Sequence, residues 1–404
     1  MALANAMPSN SGRPLRRRRE LAKQRRLTHP VIIAQFAALC LLIAPAALAA
    51  APSAPTMDLP RAMEVTRSMQ ARFYDPVNRL FNDKADKKNK PASMWACGVA
   101  LGADIAAARQ TPIIYKPIVW ALFRSMDRYW DWKQPIPGYE PFPTAGDGHD
   151  KYYDDNAWIA IALTEGFETT GRHEMIDRAS QIARFLESGW DDTLGGGIWW
   201  HEQHKNNYKN TCANAPSAVA FLRLAKASPA KAAELREMAQ RTVNWTVSRL
   251  QNDDGLFADG ISTDGHVQRV PITYNTALMI RAELLLYRAT GDRSNLEAAE
   301  GMEKAADAFV SKDTGRYRDK VRWSHLLVEA DLAMYRQDKN PHWLARARAA
   351  ADAEYAAWKA SPSDQLIDIA SLARELWLLN ESHTAAGISF WRRADGPLTT
   401  APTR

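Results

Sequence analysis

Residues 157–188 read AWIAIALTEGFETTGRHEMIDRASQIARFLES, and this stretch decides the fold. Residues 157–167 are apolar around most of a helix circumference, as in a helix that is buried on several sides. Gly171 punctuates the chain shortly afterwards. Residues 173–188 mix Arg, Glu and Gln with apolar side chains at helical spacing, which is typical of a helix with one solvent-facing side. The stretch therefore predicts a helical hairpin with one buried and one exposed member.

The hairpin pattern repeats along the chain, and from Leu59 onward almost no stretch alternates apolar and polar residues as strands do. Short turns with Gly or Pro recur at intervals of about fifty to sixty residues, as expected of stacked or circularised helix pairs. These turns are Arg109-Gln110-Thr111-Pro112, Thr170-Gly171-Arg172, Ala227-Ser228-Pro229, Thr290-Gly291-Asp292 and Asp338-Lys339-Asn340-Pro341. We predict helices that begin near Leu59, Trp95, Ile114, Asp154, Arg172, Asn214, Pro229, Asn275, Ser294, Trp323, Pro341 and Gln365.

Longer connections separate one hairpin from the next, at residues 131–153, 189–213, 251–274 and 311–322. If the hairpins close into a ring, these loops all lie at one end, over the starts of the inner helices. The predicted fold is an all-α (α/α)6 barrel of six helical hairpins. An open helical solenoid is the alternative architecture.

The amino terminus differs in kind from the rest of the chain. Basic residues between Arg16 and Arg26 precede an apolar run at residues 31–48, which ends in small residues up to Ala49, and this is the order of a signal peptide. An uncleaved membrane anchor is the alternative. We expect a secreted or periplasmic protein with membrane contact only through the export signal. The predicted segments are a signal peptide at 1–49, a short linker at 50–58, the catalytic barrel at 59–385 and a C-terminal tail at 386–404.

The excess positive charge belongs to this first segment. Residues 1–49 hold eight of the 52 basic residues and one of the 46 acidic residues, which leaves 44 basic and 45 acidic residues in the remainder. A chain with this balance has no global basic character for binding a phosphate backbone. We therefore expect no nucleic-acid partner.

Cysteine and histidine spacing does not support a metal or redox site. Beyond the first segment only Cys97 and Cys212 remain, with no C-x-x-C pair. In the ring they stand near the starts of the first and third inner helices, too far apart for a disulfide, so we predict two free thiols. His201 and His204 are three residues apart, whereas a zincin helix needs H-E-x-x-H. We predict no metal and no cofactor.

Two adjacent acids stand at the mouth of the second inner helix, in Tyr152-Tyr153-Asp154-Asp155-Asn156-Ala157-Trp158. Two carboxylates beside aromatic surface are what cleavage of a glycosidic bond requires, one as an acid and one as a nucleophile or base. Adjacency favours the short carboxyl separation of retaining hydrolysis, and two close carboxyls push their titrations apart. The alternative is that one aspartate caps the helix while the other complements its dipole.

Two further clusters lie at the same predicted end. Gly195-Gly196-Gly197-Ile198-Trp199-Trp200 combines glycines, which let a backbone approach a ligand closely, with indole faces that suit a sugar ring. The alternative is a tight loop whose tryptophans close the end of the barrel. Beyond Asp259-Gly260-Ile261, Tyr274 and Asn275 start the fourth inner helix and are suited to hydrogen-bond sugar hydroxyls. Asn275 as an N-cap is the alternative there.

In order and spacing these motifs resemble glycoside hydrolase family 76. The resemblance covers the chain from about Trp95 to Trp323 and rests on Tyr153-Asp154-Asp155-Asn156-Ala157-Trp158, Gly195-Gly196-Gly197-Ile198-Trp199-Trp200, Lys209-Asn210, Asp259-Gly260-Ile261 and Thr273-Tyr274-Asn275. It implies an (α/α)6 barrel and α-1,6-mannanase-like retaining hydrolysis, with Asp154 as nucleophile and Asp155 as general acid/base. The substrate-binding residues it implies are Tyr153, Asn156, Trp199, Trp200, Lys209, Asn210, Asp259, Tyr274 and Asn275.

The predicted function is that of an exported, monomeric glycoside hydrolase acting on an oligo- or polysaccharide, an α-linked mannan or a related α-glycan, without a cofactor. A sugar epimerase or an unsaturated uronyl hydrolase on the same barrel is one alternative; an epimerase would want histidines such as His149 and His201 at the pocket. A non-catalytic glycan-binding protein is the other alternative. Thr276 and Ala277 stand where the family usually continues with Gln-Gly, which favours that alternative.

Overall fold

This computed structural model describes residues 58–85, 90–132, 136–144, 150–203, 205 and 207–396, which contain thirteen α-helices, four short 3-10 helices and seven short strands. The predicted signal peptide lies outside these residues, and so does the linker except for Asp58. Both assignments stay predictions. None of the described helices has the length and apolar content that a membrane span needs.

The helices follow the predicted alternation of buried and exposed members, and twelve of them begin within a few residues of a predicted start. They are α1 (Asp58–Phe73), α2 (Met94–Gln110), α3 (Pro112–Ser125), α4 (Tyr153–Thr170), α5 (His173–Ser188), α6 (Thr211–Ala227), α7 (Ala232–Leu250), α8 (Thr273–Thr290), α9 (Arg293–Ala305), α10 (Val321–Asp338), α11 (Pro341–Ala360), α12 (Leu366–Glu381) and α13 (Ala385–Ala394).

The strands belong to the loops between helices and form no layer of their own. They are β1 (Tyr74–Asp75), β2 (Leu80–Phe81), β3 (Trp130–Asp131), β4 (Gly138–Tyr139), β5 (Tyr208–Asn210), β6 (Gly260–Ser262) and β7 (Val267–Gln268). All pairs are antiparallel: β1 with β2, β3 with β4, and β6 between β5 and β7. The pairing of Asn210 with Gly260 joins the loops that precede α6 and α8.

Six inner helices, α2, α4, α6, α8, α10 and α12, form a closed ring. Each packs against the next, and α12 packs against α2. An open solenoid would leave α2 and α12 apart, so the predicted barrel is confirmed. Because each hairpin reverses the chain twice, the inner helices run parallel and all begin at the same end. The outer partner of α12 is α1, so one of the six hairpins is assembled from the two ends of the domain.

The hairpin of α4 and α5 shows how the sequence produces this arrangement. Helix α4 is buried on all sides from Asn156 to Gly166, whereas α5 buries only one face, with Ile182 and Phe185 on it. Gly171 ends α4 at φ 76°, in the left-handed conformation that glycine adopts without steric cost. The chain therefore turns back at once along the outside of the ring.

The predicted C-terminal tail requires a correction, because its first residues belong to helix α13. Phe390 and Trp391 of this helix are buried, and Trp391 Nε1 donates a hydrogen bond to Glu381 at 2.6 Å. The guanidinium of Arg109, at the end of α2, lies 4.4 Å from the centre of the Phe390 ring. Helix α13 therefore covers the end of the barrel opposite to the helix starts. A helix of only 10 residues gives a weak periodic signal in the sequence.

Ion pairs fill the interior of the ring between its two ends. Arg374 on α12 bonds to Glu165 on α4 at 3.1 Å and also to Glu329 on α10. Arg281 on α8 reaches Glu329 at 2.9 Å. Asp395, which follows α13, pairs with three arginines of the inner helices, Arg223, Arg288 and Arg336. Arginine partners therefore neutralise the carboxylates of this network.

Candidate active site

The starts of the inner helices form a mouth at the loop-rich end of the barrel. Asp154, Cys212 and Tyr274 are the second residues of α4, α6 and α8, which are consecutive inner helices. The Tyr274 hydroxyl donates a hydrogen bond to the Cys212 carbonyl at 3.3 Å. Burial, followed by the charge of Asp154, raises the pKa of the Cys212 thiol well above its ordinary value. Equivalent positions of three repeats thus meet along one side of the mouth.

Buried contacts hold the start of α4 in place, and no side chain caps it. The N-cap residue is Tyr152, with extended backbone. Asn156 Nδ2 donates to the carbonyls of Tyr139 and Tyr152 at 2.9 and 2.8 Å, while its Oδ1 accepts from the Tyr139 N–H at 2.8 Å. The Tyr153 ring stacks on Phe185 with their centres 4.6 Å apart. Neither aspartate therefore serves as the helix cap, in contrast to the alternative weighed from the sequence.

Hydrogen-bond donors surround the Asp154 carboxylate. Its Oδ1 accepts from the backbone N–H of Asp155 at 2.9 Å, and its Oδ2 accepts from Trp200 Nε1 at 3.1 Å. Donors of this kind favour the charged form of a carboxyl group, as do the positive ends of the inner-helix dipoles at the same mouth.

The Asp155 carboxyl has no such donor among the described residues. Burial, followed by the neighbouring charge of Asp154, raises the pKa of Asp155 well above its ordinary value. Burial also raises the pKa of Asp154, to about 6, against the effect of the hydrogen bonds from Trp200 and the Asp155 backbone. The two carboxyls therefore titrate as a coupled pair in which Asp154 is the member that favours the charged form.

An aromatic cluster holds Trp200 beside Asp154. The centre of the Trp200 ring lies 5.4 Å from that of Tyr152 and 5.3 Å from that of His201, both edge-on. Tyr152 stacks on His201 at 5.2 Å, and His201 Nδ1 is hydrogen-bonded to Asp150. Because Trp200 is still 38% exposed, its indole offers an accessible apolar surface next to the acids.

The triple-glycine loop is built around tryptophans of the protein itself. Gly196 and Gly197 have φ values of 126° and 88°, and a Cβ on either would lie 2.6 Å from the indole of Trp190 or Trp245, respectively. Lys209 is buried beneath the loop and donates to the Gly196 carbonyl at 2.7 Å. The glycines therefore permit close approach to protein indoles, whereas the sequence suggested close approach to a ligand.

A third carboxyl, Asp259, lies near the same mouth. Burial raises its pKa, while the neighbouring Asn275 amide acts in the opposite direction, and its charge acts on the Cys212 thiol. Asn275 Nδ2 also donates to the Ala258 carbonyl at 3.2 Å. The N-cap residue of α8 is Ile272, so Asn275 orients the segment around Asp259 and does not cap the helix.

The predicted site residues fall into two groups. Those partly exposed at the mouth are Asp154, Asp155, Trp200 and Asp259. Those at most 7% exposed are Tyr153, Asn156, Trp199, Lys209, Asn210, Tyr274 and Asn275. The structure places the second group in the wall of the mouth, where burial leaves little surface for a glycan. The predicted substrate contacts of these residues stay predictions.

The sequence motifs do not single out Cys212 or Tyr152 as site residues, although the structure places both beside the acids. Cys212 occupies in α6 the place that Asp154 occupies in α4, so superposition of the repeats is the signal that would have found it. Tyr152 stands directly before the first residue of α4, with no chemistry of its own to mark it.

The described residues show no metal cluster, and the one described histidine at the mouth, His201, packs in the aromatic cluster beside Trp200. The described residues contain no group of three or more His, Cys, Asp or Glu side chains arranged to hold a metal. Cys97 and Cys212 are free thiols, as predicted. His149 and His204 lie outside the described residues, and His201 is engaged with Asp150.

Comparison with known families decides the assignment. The model of glycosyl hydrolase family 76 matches residues 60–321, more than half of the chain. The chain belongs to this family. A curated relative of this family 76 chain is the meiotically up-regulated gene 191 protein of Schizosaccharomyces pombe, which is 37% identical over 150 residues. The matched stretch covers 34% of this chain and 34% of the relative, so it spans about a third of that protein.

Solved family 76 structures share the barrel. An α-mannanase from Bacteroides thetaiotaomicron is 21% identical with a TM-score of 0.75, over 84% of this chain and 97% of its own. An α-1,6-mannanase from Salegentibacter sp. HEL1_6 is 20% identical with a TM-score of 0.69, over 80% and 99%. An inactive variant of the latter, with two consecutive aspartates replaced by asparagine, is known in complex with α-1,6-mannotriose. At these identities the likeness establishes the fold.

Proposed function

We propose that this family 76 protein is a retaining glycoside hydrolase of α-1,6-linked mannan or a related α-linked glycan, with Asp154 and Asp155 as its catalytic pair. The asymmetry of the pair carries the proposal: two hydrogen-bond donors contact the Asp154 carboxylate, and none contacts the Asp155 carboxyl in the described structure. A retaining hydrolase needs one charged carboxylate and one protonated acid at the same pH. The hydrogen bonds to Asp154 and the raised pKa of Asp155 support this division of roles.

In the first step, a carboxylate oxygen of Asp154 attacks the anomeric carbon while Asp155 gives its proton to the glycosidic oxygen. The bond between that oxygen and the anomeric carbon breaks, and the leaving sugar departs with a hydroxyl group. A covalent glycosyl ester on Asp154 remains, with Asp155 as a carboxylate. Burial and the neighbouring Asp154 charge raise the pKa of Asp155, which favours the protonated form that this transfer requires.

In the second step, the Asp155 carboxylate takes a proton from a water molecule whose oxygen attacks the same anomeric carbon. The ester bond to Asp154 breaks, and the released sugar has the configuration that it had in the substrate. Both aspartates return to their starting protonation states, so no further reactant is required.

The proposed substrate class rests on the exposed indole and on the relatives. Trp200, beside Asp154, offers a face on which the apolar side of a sugar ring can stack. The related Salegentibacter enzyme is an α-1,6-mannanase, and its inactive variant binds α-1,6-mannotriose. We extend this oligo- or polysaccharide specificity to the present chain, whose role in the cell is then glycan breakdown.

The experiment is hydrolysis of α-1,6-mannan oligosaccharides by wild-type protein and by Asp154→Asn, Asp155→Asn and Asp253→Asn variants. Asp253 belongs to the exposed Asp253-Asp254 turn, so its replacement is a matched control in an adjacent pair of acids. We expect each mouth variant to lose about 10²- to 10⁴-fold in rate, with the control unchanged. Wild-type rates in either mouth variant would refute the assignment, and binding without turnover in all four proteins would support a glycan-binding function.

We further infer that the protein works as a secreted or periplasmic monomer. The order of basic, apolar and small residues in residues 1–49 supports export. Closure of the barrel within one chain supports a monomer. Mass spectrometry of protein recovered outside the cytoplasm should show a mature amino terminus after Ala49, and recovery with residues 1–49 intact would favour the membrane-anchor alternative.

A further inference from the structure

We propose that His201 and Asp150 form a clasp that positions Trp200 beside the catalytic pair. The clasp keeps the indole N–H on the Asp154 carboxylate and leaves the ring open to a sugar. His201 acts through Trp200 and is therefore a positioning residue. The inference rests on the proposed function and deepens it, since neither His201 nor Asp150 is one of the motif residues that imply substrate binding.

Backbone pairing fixes where Trp200 enters the mouth. The segment at residues 200–202 runs antiparallel to residues 151–153, which lead directly into the acids. The Tyr153 N–H donates to the Trp200 carbonyl, and the Glu202 N–H donates to the Lys151 carbonyl, both at 2.9 Å. This pairing sets the position of the Trp200 backbone. The direction of its indole depends on the side chains beside it.

Asp150 joins the two paired segments through its side chain. One carboxylate oxygen accepts from the Gln203 N–H at 2.7 Å, and the other is bonded to His201 Nδ1. Because a carboxylate oxygen only accepts, Nδ1 carries the hydrogen of this bond. The bond therefore fixes the orientation of the imidazole.

The oriented imidazole completes an aromatic cluster around Trp200. It stacks on Tyr152 with the ring centres 5.2 Å apart and meets the Trp200 indole edge-on at 5.3 Å. Tyr152 packs edge-on against the same indole at 5.4 Å. His201 is only 8% exposed, whereas Trp200 is 38% exposed. The clasp and Tyr152 therefore support one side of the indole and leave the rest of it accessible.

A tilt of the indole would weaken both of its proposed roles. Trp200 Nε1 bonds to Asp154 at 3.1 Å, and a hydrogen bond weakens steeply when its angle departs from linear. A sugar ring that stacks on the indole likewise depends on the direction of the indole face. Loss of the clasp should therefore weaken the donor and the sugar contact together.

A matched control lies at the start of α11. There His342 also neighbours a carboxylate, Asp307, and packs edge-on against the next residue, Trp343, with the ring centres 4.8 Å apart. This trio has the same residue types as the clasp and Trp200, but it begins an outer helix, at the end of the barrel opposite to the mouth. His342→Ala therefore removes the same kind of contact without touching the site.

The first arm of the test needs no hydrolytic activity. Oxidation of Trp200 by N-bromosuccinimide is followed by peptide mass spectrometry in wild type, His201→Ala and His342→Ala, relative to the exposed Trp132 in the same protein. We expect the relative rate at Trp200 to rise about twofold to tenfold in His201→Ala alone. Unchanged relative rates would overturn the proposal.

A milder variant guards against loss of the fold in His201→Ala. Asp150→Asn keeps an oxygen that can accept from the Gln203 N–H and removes the charge from the bond to His201. Charge-assisted hydrogen bonds are roughly twice as strong as neutral ones. We expect a smaller rise in Trp200 oxidation than in His201→Ala, and no rise in this variant would contradict the role of Asp150.

The second arm is a double-mutant cycle on kcat/KM for α-1,6-mannan oligosaccharides, with His201→Ala, Trp200→Ala and the double variant. His201→Ala should lower kcat/KM about threefold to tenfold in the wild-type background and have no further effect in Trp200→Ala. The same loss in both backgrounds would show a role that does not pass through Trp200 and would contradict the proposal. Faster Trp200 oxidation in His201→Ala with no hydrolysis by any protein would support the clasp and refute the proposed function.

Discussion

The mouth and the interior of the barrel both contain carboxyl groups on inner helices, but the pKa values of these groups are shifted in opposite directions. Glu165, in the interior, is fully buried and bonds to Arg374 at 3.1 Å. Burial alone would raise the pKa of Glu165, yet the neighbouring arginines, with Arg374 first, hold it below the ordinary value. At the mouth, Asp154 and Asp155 have no cationic partner in the described structure, and the pKa of each is raised.

The difference teaches which carboxylates stabilise the fold and which are available for chemistry. Asp154, Asp155 and Glu165 all lie on α4, with Glu165 about three turns beyond the pair. The same helix thus holds a neutralised ion pair in its middle and two unneutralised acids at its start. Raised pKa values without a structural partner are typical of functional sites, where local stability is lower than it would otherwise be.

The largest expected effect comes from breaking the interior pair. Glu165→Gln leaves Arg374 and Arg109 with an uncharged partner in a buried site, so we expect the free energy of unfolding to fall by about 3–5 kcal/mol. The matched change at the mouth, Asp155→Asn, should leave stability unchanged or raise it, because it removes a carboxyl with a raised pKa. Urea denaturation of both variants measures their free energies of unfolding. A Glu165→Gln protein as stable as wild type would contradict the expected difference between interior and mouth.

A smaller effect should appear in the pH dependence of stability. Asp154 has a folded pKa of about 6, above the unfolded value of about 3.9, so ionisation costs stability as the pH rises from about 4 through 6. Asp154→Asn removes this cost. We expect the variant to be more stable than wild type by about 1–2 kcal/mol at pH 8, a value discounted for partial exposure, and equal to it near pH 4.

The interior responds to pH with the opposite sign. Because the pKa of Glu165 is lowered, its stabilising contribution is present above the unfolded value of about 4.3 and is lost as the pH falls below it. Denaturation of wild type, Asp154→Asn and Glu165→Gln at several pH values tests both signs. A stability difference between the two proteins that stays constant from pH 4 to pH 8 would contradict the raised pKa at the mouth.

The smallest effect should follow from removing one donor to Asp154. Trp200→Phe keeps an aromatic ring but loses the N–H that bonds at 3.1 Å. We expect kcat/KM to fall about threefold to tenfold, with the acidic limb of its pH profile at higher pH. Trp199→Phe is the control, since Trp199 Nε1 bonds to Asp191 at 2.7 Å. The stability of this variant should fall, while the acidic limb of its pH profile should not move. An unmoved acidic limb in Trp200→Phe would contradict the role of Trp200 as a donor to Asp154.

Much of the fold could be predicted from the sequence because the inner and outer helices differ so strongly in composition. The apolar Ala157–Phe167 run and the turn at Gly171 already define a hairpin, and its repetition implies a ring. Helix α13 could not be predicted with the same means. Its role depends on Phe390 and Trp391 meeting arginines such as Arg109 across the barrel end, and no periodic pattern encodes that contact.

The position of the two acids at the mouth could be predicted from the sequence, but the burial of the neighbouring motif residues could not. Asp154, Asp155 and Trp200 do meet at the mouth. Lys209 and Asn156 stand in the same motifs, yet both are buried and bond to backbone groups. A sequence motif does not distinguish a residue that contacts the ligand from one that supports the wall of the mouth. The burial of each side chain in the structure is needed for that distinction.

The stereochemistry of the product tests the central claim most directly. Wild-type protein is mixed with α-1,6-mannan, and the anomeric protons of the first reducing ends are followed by NMR before mutarotation. If Asp154 forms a covalent ester that Asp155 then helps water to cleave, the α-anomer must appear first, and Asp154→Asn must give no product on that time scale. The β-anomer appearing first, or the α-anomer appearing undiminished from Asp154→Asn, would contradict the account.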